Sequence, residues 1–378
     1  MKIAYLLGSL NRGGTETLLL DVFRNATKNN LNAIGIYRKT GALESDFLHC
    51  GIAMHKLTPE NNKISYLLRL RKLLSENHID IVHAQQPIDA MYAYLACLFT
   101  NTCIVLTLHG YDFDPSKFSD YILRFILRRT ACNIYVSNKQ LQYYQKKYGL
   151  KHNKQKVVYN GISFDKFSST RSAILNQFQD KNTLRNELHL LQNSLLIGTV
   201  GNFNEVRDQL TLCRFALELN KAAVDFHFIF VGGRLESMPH LYDDCVNYCK
   251  QNGLEDKVLF LGSRTDIPQI LDQLDAFVYA TDHDTFGIAV VEAMAVGVPV
   301  FVNDWEVMKE ITVDGKYATL YKTKDEKDLL REFMLFLQNK QVCQSKAIEA
   351  AKFVKETYSI EKHIDSLQEV YNQILING

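Results

Sequence analysis

A buried strand, a polar loop and a helix follow one another within residues 275–299, and this segment constrains the fold most. Residues 275–280 (DAFVYA) are apolar and β-branched enough for a buried strand. The helix that follows ends at the Gly-Val-Pro of residues 297–299. The segment therefore predicts a βα unit of a parallel sheet. Two acids, Asp284 and Glu292, lie beyond the carboxyl end of the strand, where open α/β sheets bind their ligands.

The chemistry of this segment suits a ligand that carries both phosphate and hydroxyl groups. The N-terminus of a helix attracts negative charge and therefore phosphate. A pair of carboxylates suits the hydroxyl groups of a ribose or another sugar. The sequence therefore predicts a nucleotide-sugar site, whereas the competing interpretation is a doubly wound unit without a ligand.

Strand and helix patterns alternate along most of the chain, in two series. Alternation of this kind predicts mainly parallel sheets with helices on both faces. The strands of the first series are expected at residues 3–7, 33–37, 79–84, 104–108, 133–136 and 156–159. Its helices are expected at residues 15–24, 64–74, 90–98 and 120–129. The second series has strands at residues 195–201, 226–231, 258–261, 277–280 and 298–302, before a helical tail from about residue 324.

Composition is that of an ordinary soluble protein with two domains. The chain has 378 residues, which exceeds the usual size of a single core. No stretch reaches the roughly 18 apolar residues of a spanning helix. The apolar N-terminus is short and is interpreted as a first strand rather than a signal peptide. Eight cysteines are scattered, and Cys245 and Cys249 have no histidine placed to complete a zinc site, so we expect reduced thiols in a cytoplasmic protein.

Charge is distributed unevenly. Residues 1–170 contain 22 Lys and Arg against 12 Asp and Glu, a net charge of +10, which leaves −9 for the remainder. Basic and apolar residues alternate in the predicted helices at residues 63–74 and 121–129. An anionic membrane surface would suit this basic half. Charge complementarity between the domains, and ordinary packing of two amphipathic helices, remain alternatives. Nucleic acid is not expected, because no motif for binding it is present.

The motif Asp-x-Phe-Gly-x4-Glu-Ala-Met-Ala-x-Gly-x-Pro-Val, at residues 284–300, resembles the signature of retaining glycosyltransferase family 4 (glycosyl transferases group 1). That family usually has Glu where this chain has Asp284. The resemblance implies the GT-B fold, an α/β architecture of two doubly wound Rossmann-like domains that face a central cleft. It also implies that the last helix crosses back to the first domain.

The resemblance divides the chain into parts with different roles. Residues 1–170 are expected to form an acceptor-binding domain, and residues 171–193 a linker region. Residues 194–356 are expected to bind the nucleotide sugar. Residues 357–378 are expected to form the helix that packs on the N-terminal domain.

Loop 201–208 follows a strand and precedes a helix, where the family carries Gly-Arg-x4-Lys. In this chain Asn202 occupies the Arg position and Arg207 the Lys position. The family's two cations face the donor diphosphate, so the resemblance assigns that place to Arg207 and Asn202. Arginine can bind phosphate bidentately, which suits a leaving group that must be stabilised without a metal.

Further donor contacts follow from the same resemblance. Glu292 would hold the ribose hydroxyls, and Asp284 would face the transferred sugar or the acceptor. The backbone amides of Phe286, Gly287 and Ile288 are candidates for the distal phosphate and the sugar. The loop at residues 262–266 resembles the family's Gly-x-Arg-x-Asp, which makes its arginine, Arg264, a candidate contact to the base.

Two positions in the first half also match the family. Gly14 belongs to a Gly-Gly-x-Glu loop, at residues 13–16, that approaches the phosphate from the acceptor side. His109 begins a His-Gly pair that the resemblance places at the reaction centre. His83 has a family counterpart as well, but its place after an apolar strand favours a structural role.

Two Asp-x-Asp triplets, at residues 112–114 and 282–284, could suggest a bound metal. Transferases that use such a triplet have another fold, with one nucleotide-binding domain, so no metal and no cofactor are expected.

The sequence thus predicts a metal-independent glycosyltransferase of the hexosyltransferase type. It is expected to be cytoplasmic, with peripheral attachment to the inner face of the membrane, and to transfer a sugar to a glycan or lipid-linked acceptor in cell-surface polysaccharide synthesis. The alternatives are a nucleotide-sugar epimerase of the same fold and a catalytically silent nucleotide-sugar-binding protein. A dehydrogenase is a more remote alternative, because the Gly-x-Gly-x-x-Gly fingerprint is missing.

Overall fold

The computed structural model describes residues 1–59, 62–112, 116–167, 183–190 and 193–377. The chain divides into two compact units. The first contains Met1–Ile162 and Ser359–Gly378, and the second contains Ser163–Tyr358. Of the predicted linker region 171–193, residues 171–182 and 191–192 lie outside the described residues.

A parallel sheet of seven strands forms the centre of the first unit, in the order β3-β2-β1-β4-β5-β6-β7. Its strands are β1 (Ile3–Ser9), β2 (Ala33–Lys39), β3 (Ala53–Lys56), β4 (Ile81–Ala84), β5 (Cys103–Leu108), β6 (Cys132–Tyr135) and β7 (Gln155–Val157). Its helices before the crossover are α1 (Gly14–Arg24), α2 (Glu44–Leu48), α3 (Lys63–Glu76), α4 (Pro87–Ala96), α5 (Lys117–Arg129) and α6 (Asn138–Tyr148).

The second unit repeats this plan with six parallel strands in the order β10-β9-β8-β11-β12-β13. Its strands are β8 (Leu195–Val200), β9 (Phe226–Val231), β10 (Val258–Phe260), β11 (Ala276–Tyr279), β12 (Val300–Asn303) and β13 (Thr319–Tyr321). Its helices are α7 (Thr183–Glu187), α8 (Gln209–Lys221), α9 (Pro239–Gln251), α10 (Ile267–Asp272), α11 (Ile288–Val296), α12 (Glu306–Thr312), α13 (Glu326–Gln338) and α14 (Lys340–Thr357).

In both sheets the strand order reverses beside the first strand of the unit, because β1 lies between β2 and β4, and β8 lies between β9 and β11. Ligands of open α/β sheets bind outside the carboxyl ends of the strands at such a reversal. The topology therefore marks one candidate site edge in each unit.

The chain returns to the first unit through the helix α15 (Ile360–Asn377). The Tyr371 hydroxyl lies 2.9 Å from the Tyr5 hydroxyl and 2.6 Å from Nδ1 of His83. Nδ1 of His363 donates to the carbonyl oxygen of Tyr159 over 2.7 Å. Buried hydrogen bonds thus hold the last helix against the first sheet. Two doubly wound sheets and a returning helix confirm the predicted fold class.

Two edge strands and several short helices were not predicted, and neither was the longer helix α6. The edge strand β3 has only half-buried and exposed residues, and the edge strand β13 has three residues, so neither gives a strong apolar run. Helix α6 is rich in Gln, Lys and Tyr, and its boundaries depend on its caps. The Ser137 hydroxyl accepts from the Gln140 amide, and Gly149 ends the helix with a φ of +61°.

All eight cysteines are free thiols. Cys213, Cys245 and Cys249 are buried in the core of the second unit. In the part of the chain that the structure describes, no group of His, Cys, Asp and Glu has the arrangement of a metal site. Across the same residues, every helix is too short or too polar to cross a bilayer.

Candidate active site

Two loops of the second unit are locked together at the carboxyl ends of β8 and β11. Arg207 pairs with Thr281 in an antiparallel bridge, and the Asp208 amide donates to the Ala280 carbonyl over 3.1 Å. The Thr281 hydroxyl also donates to the Val206 carbonyl. The loop that carries Arg207 therefore has a fixed position relative to the loop that carries Asp284.

Arg207 is the cation of this site. Its guanidinium carbon lies 4.1 Å from the centre of the Tyr279 ring, and Nη1 lies 3.9 Å from Oδ2 of Asp284. Its side chain is 15% exposed, and Nε is buried without a hydrogen-bond partner among the described residues. The ring and the carboxylate thus hold the guanidinium, and the unpaired Nε–H is a donor that an anionic ligand could use.

Gly201 makes room for this cation. A β-carbon at Gly201 would lie 3.0 Å from the guanidinium carbon of Arg207, and the φ of Gly201 is +151°. The φ favours glycine at this turn, and a larger residue would displace the guanidinium of Arg207.

Asp284 is fixed from several directions. Its Oδ2 accepts a hydrogen bond from the Tyr279 hydroxyl, and its Oδ1 accepts one from the Phe286 amide over 3.3 Å. The indole nitrogen of Trp305 donates to the carbonyl of Asp284 over 3.0 Å. The shorter side chain, which departs from the family's usual Glu, therefore reaches both Tyr279 and the neighbourhood of Arg207.

Helix α11 begins directly after these loops. Gly287 precedes it with a φ of +83°, and a β-carbon there would lie 2.9 Å from Cε of Met308. Ile288 is the first residue of α11, and the half-buried Glu292 lies one turn further. The backbone amides predicted to bind phosphate, those of Phe286, Gly287 and Ile288, thus lie at the N-terminus of a helix, where the helix dipole favours an anion.

Asn202 holds a neighbouring loop. Its Oδ1 accepts from the Gly233 amide over 2.8 Å, and its carbonyl accepts from Nε2 of Gln209 over 3.3 Å. The position where the family has an arginine therefore joins the ends of β8 and β9, and it supplies no charge.

Arg264 is engaged with two acids. It donates to Asp266 over 2.9 and 2.7 Å, and to Glu187 over 2.5 and 3.1 Å. These bonds lower the pKa of Asp266 and of Glu187. The guanidinium predicted to contact the base thus joins helix α7 to the loop before α10.

The remaining acid of the second Asp-x-Asp triplet, Asp282, pairs with Lys324 over 2.6 Å and also contacts the ring of His283. Both carboxylates of this triplet therefore face cations of the protein. Of the first triplet, residues 113 and 114 lie outside the described residues.

The first unit has a cavity of about 270 Å³ at the carboxyl ends of β1, β4 and β5. Glu16, Gln85, Gln86, His109 and Asp112 are among the residues that line it. We call it the first-unit cavity. It lies at the predicted site edge of this unit.

His109 is a neutral imidazole in the wall of this cavity. Its Nε2 donates to Oε1 of Gln85 over 2.8 Å. Burial, with a contribution from the nearby His363, lowers the pKa of His109 to about 3. Gln85 is 6% exposed and therefore fixes both the orientation and the tautomer of the ring.

Gly14 is the first residue of α1 and is exposed, whereas Glu16 reaches back to the loop before the helix. A β-carbon at Gly13 would lie 2.6 Å from Oε2 of Glu16. Burial raises the pKa of Glu16. This loop thus brings one partly buried carboxyl group to the first-unit cavity.

His83 does not reach this cavity. Its Nδ1 contacts the Tyr371 hydroxyl and its Nε2 lies 2.7 Å from the Thr107 hydroxyl oxygen, so both ring nitrogens have partners in the core.

The sequence did not reveal three residues that shape these sites, namely Tyr279, Trp305 and Gln85. Tyr279 lay inside a run that was interpreted only as apolar. The signal available for it was its place as the last residue of a buried strand, five positions before Asp284.

The fold places the chain among the GT-B proteins. The crystal structure of HepE from Anabaena, in complex with UDP and glucose, matches with a TM-score of 0.86 and 20% sequence identity, and the match covers 99% of this chain and 100% of HepE. The structure of WaaG, a glycosyltransferase involved in lipopolysaccharide biosynthesis, matches with a TM-score of 0.72 and 14% identity, over 97% of this chain and 99% of WaaG.

The comparison of sequences identifies the family as well as the fold. Residues 12–166 match Glycosyltransferase Family 4, and residues 180–356 match Glycosyl transferases group 1. The chain therefore belongs to the group 1 and family 4 glycosyltransferases, which confirms the family that its signature motif predicted.

Curated relatives agree with this assignment. The UDP-Gal:alpha-D-GlcNAc-diphosphoundecaprenol alpha-1,3-galactosyltransferase of Escherichia coli is 25% identical over 334 residues, which cover 82% of this chain and 80% of that protein. The N-acetyl-alpha-D-glucosaminyl L-malate synthase of Bacillus anthracis is 24% identical over 317 residues, which cover 81% of this chain and 78% of that protein.

Proposed function

We propose that the protein transfers a hexose from a nucleoside diphosphate sugar to a hydroxyl group of a glycan or lipid-linked acceptor, in the synthesis of a cell-surface polysaccharide. Retention of the anomeric configuration belongs to the proposal. The Escherichia coli relative supports it, because its name includes a UDP-sugar donor and a diphosphoundecaprenol-linked acceptor. HepE was crystallised with UDP and glucose. UDP-sugars are therefore the first donors to test.

The observation that carries the proposal is the set of contacts that the Arg207 guanidinium makes. Among the described residues, the partly buried guanidinium contacts the Tyr279 ring face and the Asp284 carboxylate, and its Nε–H has no acceptor, so this donor is available to a ligand. Such a cation beside the first turn of α11 suits a diphosphate, whose charge increases as the bond to the sugar breaks. Arg207 is thus proposed to stabilise the leaving group.

The other donor contacts are proposed around this cation. The amides of Phe286, Gly287 and Ile288 would contact the distal phosphate and the sugar, and Glu292 would hold the ribose hydroxyls. Asp284 would face the transferred sugar while it keeps Tyr279 and Arg207 in place. Asn202 would hold the conformation of loop 201–208, which faces the diphosphate. Arg264 would position loop 262–266 so that this loop contacts the base.

In the first unit, the acceptor side of the reaction is proposed to use the first-unit cavity. Gly14 leaves the start of α1 open to a ligand, since it has no side chain. His109 is uncharged at neutral pH because its pKa is about 3. Its imidazole can therefore form hydrogen bonds with sugar hydroxyl groups without adding a positive charge to the cavity.

The transfer is proposed to need no metal ion. Both carboxylates of the Asp282 to Asp284 triplet face protein cations, Lys324 and Arg207, so neither is available as an uncompensated metal ligand. The charge that a metal would supply to the diphosphate is assigned to Arg207 and to the helix N-terminus.

A cytoplasmic location, with peripheral attachment of the basic first unit to an anionic membrane, completes the proposal. A lipid-linked acceptor would lie at that surface, and net positive charge attracts a protein to anionic lipid.

A thermal-shift screen of UDP-, GDP- and other nucleoside diphosphate sugars, in the presence of EDTA, tests the donor site. We expect one class of donor to raise the unfolding temperature by mass action in the wild type. The shift should be lost in Glu292→Ala and should persist in Glu349→Ala, a matched change at an exposed acid of the second unit. Product analysis with the bound donor and lipid-linked acceptors then reports transfer and the configuration at the anomeric carbon.

No stabilisation by any donor would contradict the site assignment. Release of an altered nucleotide sugar without an acceptor would instead support an epimerase, and donor binding without turnover over the acceptor panel would support a silent binding protein.

A further inference from the structure

One face of the first unit is formed by three adjacent helices. Helix α4 contacts α3 on one side and α5 on the other. All three helices bury residues in the same hydrophobic cluster against the sheet, so the opposite sides of the helices face solvent. We call this surface, formed by α3, α4 and α5 with the turn that ends α4, the three-helix face.

The two outer helices of the three-helix face are basic. Together α3 and α5 carry eight Lys and Arg but only Glu76 and Asp120 as acids. All eight cations are exposed. This excess is large for a chain whose net charge is +1.

The central helix carries no exposed charge. Its one acidic residue, Asp89, is buried and pairs with Arg38 over 2.6 Å, and it has no basic residue. Large apolar side chains are exposed on the same face, including the only three aromatic residues among the exposed large hydrophobic side chains of the described residues. The exposed fractions on this face are 101% for Phe99, 73% for Phe118, 70% for Ile64, 68% for Tyr121, 62% for Leu68 and 40% for Leu95.

Phe99 is held in an unusual conformation. Its φ is +61°, in the left-handed region that bulky residues seldom adopt. The turn before it is ordered, because Nη1 of Arg71 donates to the carbonyls of Ala96 and Leu98 over 3.3 and 2.8 Å. An exposed phenylalanine lacks the hydrophobic stabilisation of burial, and this one also has a strained backbone conformation. Both costs indicate that its exposure has a function.

Charge and chemistry together select the occupant of this surface. A second copy of the chain would bring the same eight cations against these, which is unfavourable. Nucleic acid would satisfy the cations but would leave the aliphatic side chains of α3 and α4 unmatched. A bilayer with anionic headgroups satisfies both, because lysine and arginine meet the headgroups while aromatic and aliphatic side chains enter the interface.

We propose that the three-helix face is the membrane-docking surface of the protein, that it binds bilayers rich in anionic phospholipid, and that Phe99 is its inserted anchor. The proposal extends the peripheral attachment proposed above, but its test does not depend on sugar transfer.

Co-sedimentation of the full-length protein with vesicles tests the proposal. We expect binding to vesicles of phosphatidylcholine with phosphatidylglycerol, weaker binding to pure phosphatidylcholine, and a loss of affinity as salt is raised. Phe99→Ser, which keeps the charge, should weaken binding about tenfold, and Arg128→Glu with Arg129→Glu, which keeps the apolar side chains, should do the same.

Two matched controls lie on the second unit. Val342→Ser, at a side chain that is 68% exposed, is the control for Phe99→Ser. Lys352→Glu with Lys355→Glu, at two exposed lysines, is the control for the double charge reversal. Neither should change vesicle binding. Far-UV circular dichroism and thermal unfolding without any ligand or vesicle show that each variant is folded, so this test does not depend on the proposed transfer.

Three results would overturn the proposal. The first is no binding of the wild type to anionic vesicles at low salt. The second is equal binding by Phe99→Ser and Val342→Ser. The third is a dimer in analytical ultracentrifugation that Phe99→Ser dissociates while vesicle binding is unchanged, because the face would then serve a second copy of the chain.

Discussion

The guanidinium carbon of Arg207 lies 4.1 Å from the centre of the Tyr279 ring, and the hydroxyl of the same tyrosine donates to Asp284. One aromatic residue at the end of β11 therefore positions both the cation and the carboxylate of the candidate site. The ring attracts the cation through its electron-rich face, and the hydroxyl orients the carboxylate.

Arg207→Met should lower kcat/KM about 10²- to 10³-fold, because it removes the group proposed to stabilise the leaving diphosphate. Arg207→Lys should lose less, since the charge remains while bidentate geometry is lost. Steady-state kinetics with the donor identified by thermal shift gives the measurement. Arg331→Met, at an arginine of the second unit that is 63% exposed, is the control. Equal activity of Arg207→Met and the control would remove Arg207 from the mechanism.

Asp284→Glu should lower activity, although Glu is the family's usual residue. The shorter carboxylate already reaches Tyr279 and the Phe286 amide. An added methylene displaces it from both partners, so we expect a several-fold loss in kcat/KM, and a larger loss for Asp284→Asn. A gain in activity for Asp284→Glu would show instead that aspartate is a weakened form of the family residue.

Gln85→Glu should raise the pKa of His109 from about 3, because a carboxylate would face its Nε2–H and stabilise the imidazolium. His109 would then become charged as the pH falls through the raised pKa, so the acid limb of the activity profile should move to higher pH. Histidine NMR titration and kcat/KM against pH measure both effects. Gln142→Glu, at an exposed glutamine of the first unit, should change neither.

His363 should make the protein less stable in mild acid. Burial lowers the pKa of His363 to about 4, below the value of about 6.5 in an unfolded chain. The unfolded state therefore binds one more proton between these two pH values. The unfolding free energy should fall with decreasing pH across that window, by up to about 1.4 kcal/mol per pH unit for this residue.

Urea unfolding of the wild type and His363→Gln between pH 7 and 4.5 measures this contribution. The variant should show a slope that is smaller by about one proton. Identical slopes would mean that His363 titrates in the folded protein as it does in the unfolded chain.

Tyr371→Phe should destabilise the first unit by about 1–3 kcal/mol, because the buried hydroxyl of Tyr5 and Nδ1 of His83 both lose their partner. Tyr121→Phe, at a tyrosine that is 68% exposed, should change the unfolding free energy by less than about 0.5 kcal/mol. Chemical denaturation of the two variants measures the difference. Similar values would indicate that the last helix is held by apolar contacts alone.

The sequence predicted most of the sheet strands, because a strand that is buried on both faces consists of a short run of apolar residues. It predicted β9 at its exact bounds, residues 226–231. It missed β3 and β13, since an edge strand needs little apolar surface. It also identified Arg207, Asp284 and Glu292 through a resemblance, but neither spacing nor composition indicates which side chains touch.

The sequence by itself determined the family and the two doubly wound sheets, since turn glycines, caps and apolar periodicity are local properties of the chain. Only the tertiary structure decided that Tyr279 contacts both Arg207 and Asp284, that Gln85 orients His109, and that Arg264 is held by Glu187. Each of these contacts joins residues from different loops or elements. Such a pairing depends on strand order and register, which bring distant residues together and leave no local pattern.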